Sequence, residues 1–158
     1  MLQDITMRPI VPGDEEKINE FFSVMGPEST AFFNRNRGNQ RAALDFCQKQ
    51  DTNYRLYWMA ELDGKMAGYV FLWDCNTSLP WLGIAVREDL KGRHLGRRLI
   101  AYAQDYARDE GKGGLQLTTS LANIRGQVLY ETMGFKRMGI HPSGEWFYLF
   151  RFEDKKED

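Results

Sequence analysis

Residues 79–107 read LPWLGIAVREDLKGRHLGRRLIAYAQDYA, and this stretch decides the fold. Residues 79–86 are almost wholly apolar over the length of a strand, which predicts an inner strand covered on both faces. From Leu95 onward, apolar side chains recur at helical spacing and predict an amphipathic helix. The segment therefore predicts a strand, a loop over residues 87–94 and a helix, around which the rest of the chain is organised.

The start of this helix has the properties of an anion site. The first N–H groups of a helix are unpaired and carry part of the positive end of the helix dipole. Gly92 and Gly96 leave the backbone open to a ligand, and four cations lie within eight residues. The pattern predicts a site for a polyanion such as a pyrophosphate, although a tight turn with a solvated basic face explains it equally well. The four cations are Lys91, Arg93, Arg97 and Arg98.

Composition limits the classes of protein. The chain has 158 residues with 42% hydrophobic and 27% charged residues and a net charge of −1. These values predict one domain over residues 1–152 with a charged, disordered tail at 153–158, and they disfavour a nucleic-acid partner. Cys47 and Cys75 have no metal-binding spacing, and no leader or bilayer-length apolar run is present. We therefore expect a cytoplasmic protein without a metal and without a membrane partner.

The order of elements indicates an α/β fold with a mixed sheet. Alternating or apolar segments predict strands at 5–10, 54–62, 65–73, 79–86, 115–120 and 145–152, with a further strand starting at 135. Helices are predicted from residue 14, over 41–48, from 95 and from 123, with Asp14 and Asn123 as N-caps. Asp63-Gly64 is a strong hairpin signal, and Gly83 indicates either a bulge or close packing in the central strand.

Two segments carry a resemblance to a known family. The hexapeptide at 91–96, KGRHLG, resembles the acetyl-coenzyme A signature of the GCN5-related N-acetyltransferases (GNAT): an Arg or Gln, two residues, a Gly, one residue, and a Gly or Ala. Lys91 replaces the Arg or Gln, and His94 replaces the first Gly. Residues 123–135, with Asn123, Tyr130 and the Gly134-Phe135 pair, resemble a second family segment. The resemblance implies a central mixed β-sheet of six to seven strands flanked by about four helices.

The resemblance also implies the cofactor and its site. Acetyl-CoA is the expected cosubstrate, and Tyr130 is the expected acid that protonates the departing thiolate. Asn123 is either a contact of the cofactor arm or only a helix cap. If the central strand splays from its parallel neighbour, its free peptide groups can bond the pantetheine arm. The predicted cofactor contacts are Ile84, Ala85, Val86, Lys91, Gly92, Arg93, His94, Leu95, Gly96, Arg97 and Asn123.

The general base and the acceptor stay open. Family members often place a Glu near the start of the central strand, where this chain has Trp81 and Leu82. The resemblance implies transfer of acetyl to a primary amine of a small molecule, peptide or protein by direct attack in a ternary complex. A catalytically silent acyl-CoA-binding regulatory module is the alternative, and a homodimer is possible. Candidate bases are Asp74, Glu61, His141, Glu145 or a water. Aromatic candidates for a substrate pocket, most of them expected in the core, are Phe32, Phe33, Trp58, Trp73, Trp81 and Trp146.

Overall fold

The computed structural model describes residues 4–25, 38–90 and 94–152. Within them, seven strands form one sheet in the order β1-β2-β3-β4-β5-β7-β6, with four α-helices. Phe32, Phe33 and the 153–158 tail lie outside the described residues. The elements are β1 Thr6–Pro9, α1 Glu15–Ser23, α2 Gly38–Lys49, β2 Arg55–Leu62, β3 Lys65–Trp73, β4 Trp81–Val86, α3 Leu95–Asp109, β5 Gly114–Thr119, α4 Ile124–Thr132, β6 Lys136–Ile140 and β7 Trp146–Arg151.

The β2–β3 hairpin confirms the prediction from Asp63-Gly64. Both residues have positive φ, 55° and 77° respectively. This is the backbone that a tight hairpin turn requires and that Asp and Gly tolerate. The hairpin joins β2 to β3, and β3 pairs antiparallel with β4 on its other edge.

The central strand is shorter and more regular than predicted. It begins at Trp81 instead of residue 79, and Gly83 pairs in register with Phe71 of β3 without a bulge. A Cβ at Gly83 would lie 2.1 Å from Cζ of Phe71, which real Cβ contacts do not show. The bulge interpretation is therefore wrong, and close packing of the Phe71 ring against the β4 backbone explains this glycine.

β4 and β5 separate soon after they meet. They are parallel, as predicted, but the register between them consists of the pair Trp81 and Gln116. The Gln116 N–H donates to the Pro80 carbonyl at 3.0 Å, and its side-chain amide donates to the Leu79 carbonyl at 2.8 Å. Beyond this point the described part of β4 has a strand partner on its β3 side alone, so a gap opens in the middle of the sheet.

Two apolar cores cover the two faces of the sheet. Leu82 of β4, Leu99 of α3 and Tyr148 of β7 belong to one core. Tyr57 and Phe71 belong to the other, which packs against α1 and α2. Because side chains alternate along a strand, Trp73 and Trp81 share the face of Phe71. The gap between β4 and β5 therefore connects two faces with different surroundings.

Asp14 precedes α1 but does not cap it with its side chain. The carboxylate accepts from the Val11 N–H at 2.8 Å and pairs with Arg8 at 2.8 Å. The predicted N-cap is correct in position and wrong in its hydrogen bond, because the turn and Arg8 occupy the carboxylate.

In the ranges that the structure describes, no helix is long and apolar enough to cross a bilayer.

Candidate active site

A cleft of about 860 Å³ lies where β4 and β5 separate. Its walls come from β4, from the start of α3, from α4 and from the turn between β6 and β7. Pockets of this size and position are typical of small-molecule and cofactor sites. Most predicted site residues that the structure describes line this cleft: Ile84, Ala85, Val86, His94, Gly96, Arg97, Asn123 and Tyr130.

The start of α3 presents free backbone donors. His94 has left-handed backbone (φ 66°, ψ 12°) and makes no side-chain cap hydrogen bond. The first intrahelical bond runs from the Arg98 N–H to the His94 carbonyl at 3.2 Å. The N–H groups of Leu95, Gly96 and Arg97 therefore have no carbonyl partner within the helix. This arrangement suits an anion, and the exposed Arg97 adds a positive charge beside it.

Part of the predicted signature falls outside the residues that the structure describes. Lys91, Gly92 and Arg93 lie outside the described residues. Leu95 is 1% exposed and belongs to the core on the α3 face, so its backbone alone is available to a ligand. A further cation, Arg125 in the first turn of α4, lines the cleft and was not predicted. The sequence signal that could have indicated it is the position of Arg125 two residues after the predicted cap Asn123, which puts a cation at a helix start.

The free edge of β4 supplies the second set of backbone groups. Ile84, Ala85 and Val86 pair with β3 on one side and line the cleft on the other. A strand edge of this kind can hydrogen-bond an extended ligand as if it were a neighbouring strand. The described residues thus offer an extended amide-binding edge that leads toward the donors of α3.

Asn123 caps α4 with both ends of its side chain occupied. Its Oδ1 accepts from the Gly126 N–H at 3.1 Å, and its Nδ2 donates to Thr119 Oγ1 at 3.0 Å. The helix-cap interpretation therefore accounts for this residue by itself, although Asn123 also lines the cleft.

Tyr130 is a buried phenol at the cleft wall. It is 8% exposed and packs with its ring centroid 6.2 Å from Phe135 and 6.1 Å from Tyr148. Within the described part of the chain, its hydroxyl has no hydrogen-bond partner. Burial, and next the negative charge of Glu145, raise the pKa of Tyr130 to about 12. The phenol therefore keeps its proton at neutral pH.

The candidate bases separate by position. Asp74, His141 and Glu145 line the cleft, whereas Glu61 pairs with Arg8 at 2.8 Å and with Lys17 at 3.6 Å. Those pairs hold the pKa of Glu61 below its usual range, mainly through the Arg8 hydrogen bond. Glu61 is thus a member of an ion-pair network and does not line the cleft.

His141 lines the cleft, and its Nδ1 is in contact with Ser143. The Ser143 N–H donates to His141 Nδ1 at 3.1 Å, which assigns the ring proton to Nε2. Its ring meets Trp81 edge-on at 5.8 Å. A base must accept a proton, and the free nitrogen here already carries one. Asp74 and Glu145 therefore remain as candidate bases that line the cleft. The charge of Glu145 contributes to the raised pKa of Tyr130.

Three of the predicted pocket aromatics divide between cleft and core. Trp73 and Trp81 line the cleft, and Trp58 is buried against Tyr102 and Tyr106 of α3. The described residues contain no group of three or more His, Cys, Asp or Glu side chains placed to hold a metal ion.

Comparison with known proteins identifies the family of this domain. The model of the acetyltransferase (GNAT) family matches residues 19–135, which is more than half of the chain. The chain therefore belongs to this family. The resemblance of residues 91–96 and 123–135 is confirmed at the level of the family, and so is the predicted mixed α/β fold.

Individual relatives are distant. The chain is 30% identical to streptothricin acetyltransferase from Streptomyces lavendulae over 100 residues, covering 61% of this chain and 52% of that protein. It is 28% identical to N-acetyltransferase family 8 member 3 from Rattus norvegicus over 110 residues, covering 63% and 44%. The chain spans 41%, 65% and 44% of the length of three curated relatives that it matches, which is less than two thirds of each.

A solved structure confirms the fold. The PaiA N-acetyltransferase from Thermoplasma acidophilum, solved in complex with coenzyme A, superposes with a TM-score of 0.76. The identity is 15%, and the match covers 94% of this chain and 99% of that one. At this identity the likeness establishes the architecture and leaves the acceptor to be argued from the cleft.

Proposed function

We propose that this domain transfers an acetyl group from acetyl-CoA to a primary amine. The observation that carries the proposal is the cleft at the β4–β5 gap, which has unpaired helix donors and a free strand edge at one end and the Tyr130 hydroxyl in its wall. Family membership supports the same reaction class.

The residues fit the cofactor in three places. The N–H groups at the start of α3 and the side chain of Arg97 would hold the pyrophosphate. The β4 edge at Ile84–Val86 would bond the amides of the pantetheine arm. Tyr130 would then stand beside the sulfur. Bound acetyl-CoA supplies the activated acyl group, and the remaining chemistry belongs to the chain.

The protein must move two protons. A neutral amine nitrogen attacks the thioester carbonyl, an N–C bond forms, and the C–S bond breaks when the tetrahedral intermediate collapses. We assign Glu145 as the base that takes the proton of the amine, directly or through a water, and Tyr130 as the acid that gives a proton to the thiolate. The products are an N-acetylated amine and the free thiol.

The two roles reinforce each other electrostatically. The negative charge of Glu145 contributes to the raised pKa of Tyr130. When Glu145 takes up the proton of the amine, that charge disappears and the phenol becomes a stronger acid. The acid is therefore strengthened when the sulfur has to leave.

Steady-state assays of thiol release test the function. The protein is incubated with acetyl-CoA and a panel of primary amines, and N-acetylated products are confirmed by mass spectrometry. Saturable, amine-dependent thiol release is the expected result. Coenzyme A binding by calorimetry without transfer to any amine would instead favour the regulatory module.

The buried thiols of Cys47 and Cys75 support a reducing compartment, and we propose that the activity is in the cytoplasm.

A further inference from the structure

The end of the cleft remote from α3 is aromatic. Trp73 and Trp81 are cross-strand partners on β3 and β4, and both line the cleft. The Trp73 indole N–H donates to the Tyr57 hydroxyl at 3.0 Å, and its ring lies 5.0 Å from Phe71. These contacts fix the ring while 37% of Trp73 stays exposed. Fixed indole faces are the side chains that best attract a cation.

The same end of the cleft is negatively charged. Asp74 follows Trp73 directly, and Glu145 lies in the turn that brings His141 to Trp81. Neither carboxylate makes a hydrogen bond or an ion pair within the described residues. The described cations of the cleft, Arg97 and Arg125, lie at the starts of α3 and α4. The cleft therefore has a basic end for a cofactor and an acidic, aromatic end for an acceptor.

The chemistry assigns the two carboxylates different partners. An amine attacks only in its neutral form, so the reacting nitrogen gives up its charge before the N–C bond forms. Glu145 is the carboxylate of the cleft wall whose charge acts on the buried Tyr130, the proposed acid. Asp74 is exposed at the aromatic end of the cleft, directly after Trp73 in the chain, where a cation that keeps its charge throughout the reaction can pair with it. The reacting nitrogen cannot be that cation.

We infer that the acceptor is a small aliphatic amine with a second amino group that stays protonated during the reaction, held by Asp74 and the indoles of Trp73 and Trp81. The inference rests on the proposed function for its reaction and names the substrate class of that site. The second ammonium group fixes the acceptor so that the first faces Glu145 and the thioester. Acceptors with a carboxylate near the amine would be repelled by the same charges.

The test measures binding separately from turnover. With the protein saturated with coenzyme A, calorimetry compares α,ω-diaminoalkanes of three to six carbons with n-alkylamines of equal length. We expect the best diamine to bind at least tenfold more tightly than its monoamine, a difference of about 1.4 kcal/mol. In Asp74→Asn this preference should disappear.

The chain offers a matched control for the charge. Asp63 also has left-handed backbone, with φ 55° against 58° for Asp74, and its turn between β2 and β3 is not part of the cleft wall. Asp63→Asn removes one negative charge at a residue with the same left-handed backbone conformation, and Asn tolerates that conformation. It should keep the diamine preference, whereas Trp81→Leu should reduce it.

Each outcome decides the inference. Equal binding of diamine and monoamine would overturn it, and so would an equal loss of the diamine preference in Asp63→Asn and Asp74→Asn. Stronger binding of a peptide whose single lysine is its only charged group would also overturn it. Acetylation of monoamines and diamines with equal kcat/KM would overturn it while confirming the acetyltransferase. Diamine binding that depends on Asp74, without any turnover, would uphold the binding site and refute the proposed reaction.

Discussion

Gly96 in the first turn of α3 faces Leu129 of α4 so closely that a Cβ atom at residue 96 would lie 2.8 Å from Leu129 Cδ2. This contact gives Gly96 a packing role in addition to its place in the cleft wall. A bulky side chain there would therefore both press against the Leu129 side chain and cover the free N–H groups of the helix start. The two effects can be separated.

Gly96→Leu should weaken coenzyme A binding at least tenfold, about 1.4 kcal/mol, because it covers the donors that hold the anion. The double variant Gly96→Leu with Leu129→Ala makes room for the new side chain against α4 but leaves the donors covered. We expect its affinity to stay low in calorimetry, with Leu129→Ala alone as the control. Recovery of wild-type affinity in the double variant would reduce Gly96 to a packing residue.

Arg97→Ala should raise the KM for acetyl-CoA several-fold and leave kcat nearly unchanged. A pyrophosphate contact exists in the ground state and in the transition state alike, so its loss does not change the barrier from the bound complex. Arg108→Ala is the control, since Arg108 lies in the last turn of the same helix and pairs with Asp105. A fall in kcat with constant KM would contradict the assigned role.

Local patterns were sufficient to predict the elements that chemistry acts on. The Asp63-Gly64 turn and the helix that starts at Leu95 are encoded within short windows, because turn residues and apolar periodicity act locally. The parallel pairing of β4 and β5 follows from the strand–helix–strand order of these elements. The separation of β4 from β5 entered the sequence analysis only as a condition for binding the pantetheine arm. The structure confirms it through the pair Trp81 and Gln116.

The polar end of the cleft was not predictable in the same way. Asp74 and Glu145 come from elements about 70 positions apart in the sequence and meet only because the sheet order places them together. Burial along α4 does not follow the apolar character of its side chains. Val128 is 59% exposed, whereas Gln127 is buried because its amide donates to the carbonyls of Ser120 and Leu121 at 3.1 and 3.0 Å.

Tyr130→Phe should lower kcat roughly a hundredfold, the range of a lost general acid, and leave coenzyme A affinity intact. The ring packing against Phe135 and Tyr148 survives the substitution. Tyr148→Phe is a matched control because the Tyr148 hydroxyl donates to Glu131 at 2.7 Å and is not part of the cleft wall. Wild-type kcat in Tyr130→Phe would assign protonation of the sulfur to solvent.

The raised pKa of Tyr130 also predicts how the free energy of unfolding changes at alkaline pH. The folded pKa of Tyr130 is raised to about 12, whereas an unfolded tyrosine titrates at about 10. Its stabilisation is complete below pH 10 and is lost as pH rises through 12, by up to about 1.4 kcal/mol per pH unit. Urea unfolding between pH 9 and 11 should show a shallower decline in Tyr130→Phe than in the wild type. Parallel curves would contradict the buried, protonated phenol.

Glu145→Gln should lower kcat/KM at neutral pH by roughly a hundredfold, the range of a lost general base, while coenzyme A affinity stays constant. The loss should shrink at high pH, where the free amine is already neutral and needs no base. Glu110→Gln, an exposed position just after α3, is the control for a lost surface charge. An equal loss at every pH would indicate that Glu145 positions the acceptor instead of accepting its proton.

His94→Gly should stabilise the fold or leave it unchanged, and His94→Val should destabilise it. His94 occupies the first glycine position of the family signature with φ 66°, and a non-glycine residue there costs roughly 1–3 kcal/mol of backbone strain. Glycine relieves this strain but increases the entropy of the unfolded chain, so the net gain is at most about 1 kcal/mol. Valine is branched at Cβ and tolerates this backbone poorly. Urea unfolding of both variants measures the difference, and calorimetry with coenzyme A shows whether the imidazole also contacts the ligand. A less stable His94→Gly protein would show that the side chain makes contacts that outweigh the strain.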